Sequence, residues 1–314
     1  MKVIVIDCGS TQATTAVFDR DTAAENSVSY IPLPHGLNAV TAAEGAFKSL
    51  CDSCCELSGI ADEVSEVYFY GAGCATDDIC TRVAGELGAF FSHAATVSVA
   101  TDMLAAARAL CGDEQGIVAI LGTGSNSCLY DGTRIVANVS PLGYILGDEG
   151  SGAVLGRLFI GRVLKQQFPE EVLRRFADVH SDITAAEVVT RVYRTERPNA
   201  YLASFCPFIA SCLDIPEVTD FVVDEFCRFI RYNLSHYLDT SKYSHIDSHL
   251  MRVHFTGSIA HYFAPQLRIA LAESAPKNDA HTSIATLTLG KILPSPLPSL
   301  ANYHLNHPSI TGII

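Results

Sequence analysis

The sequence predicts an α/β fold built from two similar halves, and three observations carry that expectation. The apolar run Lys2–Asp7 ends in Asp7-Cys8-Gly9-Ser10-Thr11, and a second run, Ile117–Leu121, ends in Gly122-Thr123-Gly124-Ser125-Asn126. Apolar runs of this length, closed by glycine and hydroxyl residues, read as buried strands entering tight turns. After each run come two further strand-like runs and then a helix, so the order of elements repeats although the residues do not. Two such halves facing one another would put the two turns on opposite sides of one cleft.

In the first half, Ala13–Phe18 reads as the return strand of a hairpin and Ser27–Ile31 as a third strand. The loop Pro32–Asn38, with Pro32, Pro34, Gly36 and Asn38, leads to a helix expected over Val40–Ser58. Val64–Tyr70 is the next strand, closed by Gly71-Ala72-Gly73, and Thr76–Leu87 has helical spacing. Ala95–Ala100 is a strand, and Asp102 stands where the helix Met103–Cys111 begins, an N-cap position that favours an acid. In the second half, Ser127–Tyr130 and Arg134–Val139 are strands joined by Asp131-Gly132, a strong hairpin signal. Leu146-Gly147-Asp148-Glu149-Gly150-Ser151-Gly152 then precedes a helix over Ala153–Phe168. Helices are expected at Glu170–Asp178, Ala185–Tyr193, Asn199–Cys212 and Thr219–Leu238, where the halves cease to correspond. A strand, Asp247–Phe255, ends in Thr256-Gly257-Ser258-Ile259-Ala260 and a helix to about Ala272. The tail Leu293–Ile314 is proline-rich with little periodicity. The domains are thus expected at 1–112 and 113–293, the second with a helical insertion, leaving a tail, 294–314, that can pack back on the first.

Composition narrows the function. With 314 residues, 48% of them hydrophobic and 18% charged, two packed domains are expected rather than a disordered chain. A formal net charge of −13 repels nucleic acid and anionic membrane, so neither is expected as a partner. No apolar run approaches the length of about 18 residues that a membrane span needs, and the N-terminus lacks a signal-peptide pattern, so a cytoplasmic location is expected. Eleven cysteines without paired zinc spacing read as free thiols of a reducing compartment; the lone CxxC, Cys51–Cys54, lies in a helical pattern. No histidine has ligand spacing.

The block Ile117–Gly156 holds most of the chemistry. Glycines let the backbone approach a ligand, and a glycine- and hydroxyl-rich turn after a strand offers several N–H groups to an anion such as phosphate. Two acids among three glycines, Asp148 and Glu149, mark a second ligand-contacting turn.

In these residues the chain resembles the sugar kinases and ATPases of the actin–Hsp70–hexokinase superfold, and within it the N-acetylglucosamine kinase branch, the BadF/BadG/BcrA/BcrD-type ATPases. The motifs GTGSN and LGDEGSG in this order are specific, DCGST and TGSIA stand in the expected places, and the resemblance runs from Asp7 to about Lys291. It implies two ribonuclease H-like (actin-like ATPase) domains facing across a nucleotide and sugar cleft. By the same resemblance, Asp7, Gly9, Ser10 and Thr11 form a first phosphate loop, Gly122, Thr123 and Gly124 a second, and Gly257 and Ser258 an adenosine loop. Asn38, Ser125, Asn126 and Asp148 match sugar contacts, and Asp102 matches the catalytic base. The implied cofactors are ATP and Mg²⁺, with Asp7 reaching the metal through water, the implied partner is an amino sugar, and the implied assembly is a homodimer. Gln12 departs from the usual Lys or Arg after the first loop, Ala39 from a frequent Pro, and Pro141-Leu142-Gly143-Tyr144 from a Gly-Trp-Gly acyl-group pocket; the chain has no Trp.

The chemistry suits these residues. Phosphoryl transfer needs positioning and charge neutralisation, a carboxylate can take the proton of a sugar hydroxyl, and amide and carboxylate groups together offer donors and acceptors to hydroxyls. Two other readings stand beside the kinase. One is an ATPase that activates a radical dehydratase or reductase, whose relatives hold an iron–sulfur cluster through cysteines. The other is a non-catalytic sugar sensor.

Overall fold

The computed structural model describes residues 1–22, 27–239, 242–243, 252–274 and 287–307. The chain divides into two compact units, the first made of residues 1–114, 132–134 and 295–314, the second of 115–131 and 135–294.

In the first unit, β1 (Lys2–Cys8), β2 (Ala13–Asp19) and β3 (Ser29–Pro32) form an antiparallel meander. The short helices α1 (Ala46–Asp52) and α2 (Cys55–Ser58) lead to β4 (Val64–Gly71), α3 (Asp77–Phe90), β5 (Thr96–Thr101) and α4 (Asp102–Cys111). Strand β4 lies parallel to both β1 and β5, giving the order β3-β2-β1-β4-β5. Between two neighbours β1 is covered on both faces, which is why Val3–Ile6 is an unbroken apolar run rather than an alternation.

The second unit repeats this plan. Strands β6 (Gly116–Leu121), β7 (Ser125–Tyr130) and β8 (Ile135–Val139) form the meander. The short α5 (Gly143–Leu146) is followed by α6 (Gly152–Leu164), α7 (Glu170–Val179), α8 (Ala185–Arg194), α9 (Pro198–Ala203), α10 (Cys206–Ser211) and α11 (Pro216–Tyr232). Strand β9 (Arg252–Thr256), helices α12 (Ser258–Tyr262) and α13 (Ala264–Glu273), and β10 (Thr288–Leu293) complete the unit. The order β8-β7-β6-β9-β10 is that of the first unit, strand for strand, again with the last two pairings parallel. The core is aromatic where the helices meet: Phe159, Phe205, Phe226 and Phe229 are all buried.

The last helix, α14 (Leu297–Asn306), belongs to the first unit and packs on α4, β1 and β2. Its buried face is Leu297, Leu300, Ala301, Tyr303 and His304. The His304 ring stacks on Tyr68 at 3.9 Å and meets the Tyr70 hydroxyl at 2.8 Å, while Arg20 donates to the His304 carbonyl at 2.7 Å.

Several expected elements differ. The helix expected over Val40–Ser58 starts only at Ala46, because the Asn38 carbonyl collects the N–H groups of Thr41 and Ala42 in a turn and Gly45 takes a left-handed conformation, φ 78°. It breaks at Ser53, whose hydroxyl donates to the Leu50 carbonyl, and at the extended Cys54. Asn199–Cys212 is two helices, since Pro207 has no N–H to continue the preceding turn. The 3-10 turn Leu234–Leu238 replaces the end of the long helix. Of the strand expected over Asp247–Phe255, the described part is β9, Arg252–Thr256, and residues 247–251 lie outside the described residues. The tail expected to lack periodicity contains α14, and Pro296 and Pro298 lie at the helix start, where a missing N–H costs nothing.

Candidate functional site

In the first unit the C-terminal ends of β1, β4 and β5 come level: Cys8 pairs with Gly71, and Gly71 with Thr101. This is the end at which parallel sheets bind ligands. Asp7 is therefore two strands from Asp102, about 10 Å in backbone terms. The carboxyl of Asp7 is pushed up to about 7, by burial first and then by the charge of Asp102. Burial likewise raises Asp102, while the N–H groups of Met103 and of Asp102 itself, at the start of α4, hold it down. Asp102 is not the cap of that helix. The cap is Thr101, whose hydroxyl accepts the Leu104 N–H at 3.1 Å. Helix capping thus gives no account of an acid at 102.

The loop Gly9–Thr11 is held by the segment Gly36–Asn38. Gly36 N–H donates to the Thr11 carbonyl at 3.0 Å, and any side chain at Gly36 would overlap the Gly9 carbonyl oxygen. Asn38 Oδ1 accepts the Val40 N–H at 2.9 Å, and its Nδ2 reaches toward the Ser10 hydroxyl at 3.5 Å. The turn Gly71–Gly73 closes over Asn38: Ala39 N–H donates to the Ala72 carbonyl at 2.8 Å, and a side chain at Gly73 would overlap Asn38 Oδ1. The sequence signal for Gly73 was present, two glycines after a strand, but nothing there pointed to its partner.

In the second unit three turns meet at the C-terminal ends of β6 and β9. The turn Gly122–Gly124 is closed by Gly122 N–H donating to the Gly124 carbonyl at 2.9 Å. The first N–H groups of α6, from Gly152 and Ala153, donate to the carbonyls of Gly122 and Thr123 at 2.8 and 3.0 Å, and Ser151 caps the helix through the Val154 N–H. These helix N–H groups are therefore spent on the turn. Gly257, with φ 108°, lies so close to the Leu121 carbonyl that a side chain would overlap it, and Ser258 opens α12. Asp148 takes a left-handed conformation, φ 52°, and its carboxylate lies beside Gly124, 3.1 Å from where a Cβ would stand. Burial raises its pKa to about 6, against the stabilising N–H of Ser125. Ser125 and Asn126, expected in the turn, are the first residues of β7. Glu149 accepts from Asn233 Nδ2 at 3.2 Å. Asn138 and Tyr237 both bind the backbone of Ser127, and nothing in the sequence marks either for this role: Asn138 is one residue of an ordinary strand pattern and Tyr237 lies far from any motif. The residues departing from the family pattern at Pro141–Tyr144 form α5 and its entry, with Leu142 exposed and left-handed.

Among the described residues no three His, Cys, Asp or Glu side chains group as metal ligands. Mg²⁺ asks for less, one or two carboxylates beside phosphates and water, and the buried carboxylate of Asp7 at the end of β1 fits that demand. No helix among the described residues is long and apolar enough to cross a membrane.

Two five-stranded mixed sheets in one repeated order, each with a glycine turn after its first strand, define a two-domain protein of the actin-like ATPase fold. No family model matches the chain, and no curated protein matches it. Among solved structures it is similar to a candidate N-acetylglucosamine kinase from Porphyromonas gingivalis, at 39% identity and a TM-score of 0.84, covering 98% of this chain and 100% of that one. A candidate N-acetylglucosamine kinase from Chromobacterium violaceum, at 18% identity and a TM-score of 0.67 over 96% and 98% of the chains, has the same fold. So does a ROK family glucokinase from Streptomyces griseus, solved with glucose and AMPPNP, at 15% identity and 0.57 over 99% and 100%. The chain belongs to the N-acetylglucosamine kinase-like sugar kinases of this superfold.

Proposed function

We propose that the protein transfers the γ-phosphoryl group of ATP to a hydroxyl of an amino sugar, with N-acetylglucosamine the first substrate to test. The observation that carries this reading is the carboxylate pair Asp7 and Asp102 at the strand ends of the first unit, both with raised proton affinity. A buried carboxylate of raised pKa is suited to receive a proton, and a sugar hydroxyl must lose one as it attacks phosphorus. In this reading Asp102 takes that proton. Asn38, Ser125, Asn126 and Asp148 hold sugar hydroxyls, the backbone and hydroxyls of Gly9–Thr11 and Gly122–Gly124 hold phosphate oxygens, and Gly257 and Ser258 meet the nucleoside. Mg²⁺ would be held by Asp7 through water and would neutralise phosphate charge. The glucose and AMPPNP bound by the Streptomyces glucokinase support a nucleotide and a sugar as the ligand pair of this fold.

The test is ADP release by the purified protein with Mg-ATP across a panel of amino sugars and hexoses. Turnover confined to amino sugars is the expected result. Release that is the same with and without any sugar would refute the reading.

A further inference from the structure

Asn126 is held so that it can offer a ligand only hydrogen-bond donors. Its Oδ1 accepts the Ser127 N–H at 2.9 Å, and a backbone N–H can only donate, so the amide orientation is set. Asn138, from β8, then donates through Nδ2 to the same Oδ1 at 2.9 Å and to the Ser127 carbonyl at 2.6 Å. A backbone carbonyl can only accept, so the orientation of Asn138 is set as well, and both its amide hydrogens are used. Among the described residues Asn126 Nδ2 makes no hydrogen bond of its own. Close by on the same strand end, Ser125 N–H binds the Asp148 carboxylate, which can only accept when ionised. Tyr237 fixes the register of β7 on β8, donating to the Ser127 carbonyl at 2.8 Å and accepting the Val139 N–H at 2.9 Å.

We propose that Asn138 is a positioning residue that holds Asn126 as a donor-only contact, so that the substrate atom met there is an oxygen accepting a hydrogen bond. The proposal rests on the kinase reading, in which Asn126 touches the sugar. Asn138 itself does not touch substrate. Without its donor, Asn126 loses one of two anchors and its amide can turn. With a carboxylate at 138, the two facing oxygens repel and the Asn126 amide is driven off the Ser127 N–H, so its Nδ2 no longer stands where the sugar meets it.

The experiment compares wild type with Asn138→Leu, Asn138→Asp and Asn138→Gln in steady-state turnover of the best amino sugar, after melting temperatures have confirmed folding. Asn138 is exposed, and Asn138→Asp has nearly the native shape, so it carries the test should Asn138→Leu not fold. The expected result is a rise in sugar KM of about tenfold or more in Leu and Asp, with kcat and ATP KM within about threefold of wild type, and recovery of most of the sugar KM in Gln. A second expected result uses deoxy and deoxyfluoro sugars. A C–F group can accept but not donate, so at one ring position wild type should prefer the fluoro compound, and Asn138→Asp should lose that preference. Unchanged sugar KM in both Leu and Asp, or equal falls in kcat and rises in ATP KM, would overturn the role of Asn138 alone. Absence of wild-type turnover with every amino sugar would overturn the kinase reading and this proposal with it.

Discussion

Asp7 and Asp102 are carboxylates of one unit whose burial resists ionisation, and each makes a distinct prediction. For Asp7 the folded pKa, about 7, lies above the unfolded value, about 4. The folded state therefore holds the proton more tightly, and this contribution to stability is complete below about pH 4 and is lost as pH rises through about 7. Asp7→Asn should raise the melting temperature at pH 8, by an amount that reflects a few kcal/mol, and leave it unchanged near pH 4. A scan of melting temperature against pH for both proteins checks this, and equal gains at both pH values would contradict the buried, shared environment. For Asp102, Asn keeps the size, and the cap is Thr101's. Asp102→Asn should therefore fold at least as stably as wild type while kcat falls roughly 10²–10⁴-fold, with sugar and ATP KM changing far less. Thr101→Ala should do the reverse in stability, costing about 1 kcal/mol through the lost cap.

At the scale of elements, the turns are the exacting parts. Gly257 combines φ 108° with a carbonyl where a side chain would stand. Gly257→Val should raise the ATP KM about tenfold or more while moving the sugar KM little, because the displaced backbone is the proposed nucleoside contact; an unchanged ATP KM removes Gly257 from that role. Strands and their closing turns were legible because each joins a short apolar run to glycine and hydroxyl residues, as at Ile117–Gly124. The repeated order of elements was legible too, although its fifth strand in the second unit was missed. In β10, Gly290 and Lys291 interrupt the apolar pattern, and Gly290 is there because the His254 ring leaves no room for a side chain. Prolines likewise obscure α14, because Pro296 and Pro298 add to a proline-rich stretch of little periodicity while serving as helix starters. The partners of the site residues were not legible at all. Asn138 meets Asn126 through the pairing of β7 and β8, and Gly73 meets Asn38 through a turn thirty-odd residues away, contacts that only the folded chain creates.

At the scale of the molecule, β1 and the last described helix, α14, belong to the same unit. Helix α14 buries Leu300, Ala301, Tyr303 and His304 on the first unit, against the helix that begins with Asp102. His304 is held neutral, its pKa lowered well below the usual histidine value by burial and by the Arg108 and Arg20 charges. The unfolded chain therefore binds a proton that the folded chain refuses, and stability is lost as pH falls below about 6.5. His304→Phe should flatten part of that acid loss in a pH scan of melting temperature, whereas removal of residues 295–314 should lower the melting temperature at every pH. The central claim is the proposed phosphoryl transfer to an amino sugar with Asp102 as the base. Its most direct measurement is the mass of N-acetylglucosamine and related amino sugars after incubation with Mg-ATP and either wild type or Asp102→Asn. The account predicts one added phosphate on an amino sugar with wild type and at most a trace with the folded Asn variant. Phosphorylation at an undiminished rate by Asp102→Asn, or none of any sugar by wild type, would contradict it.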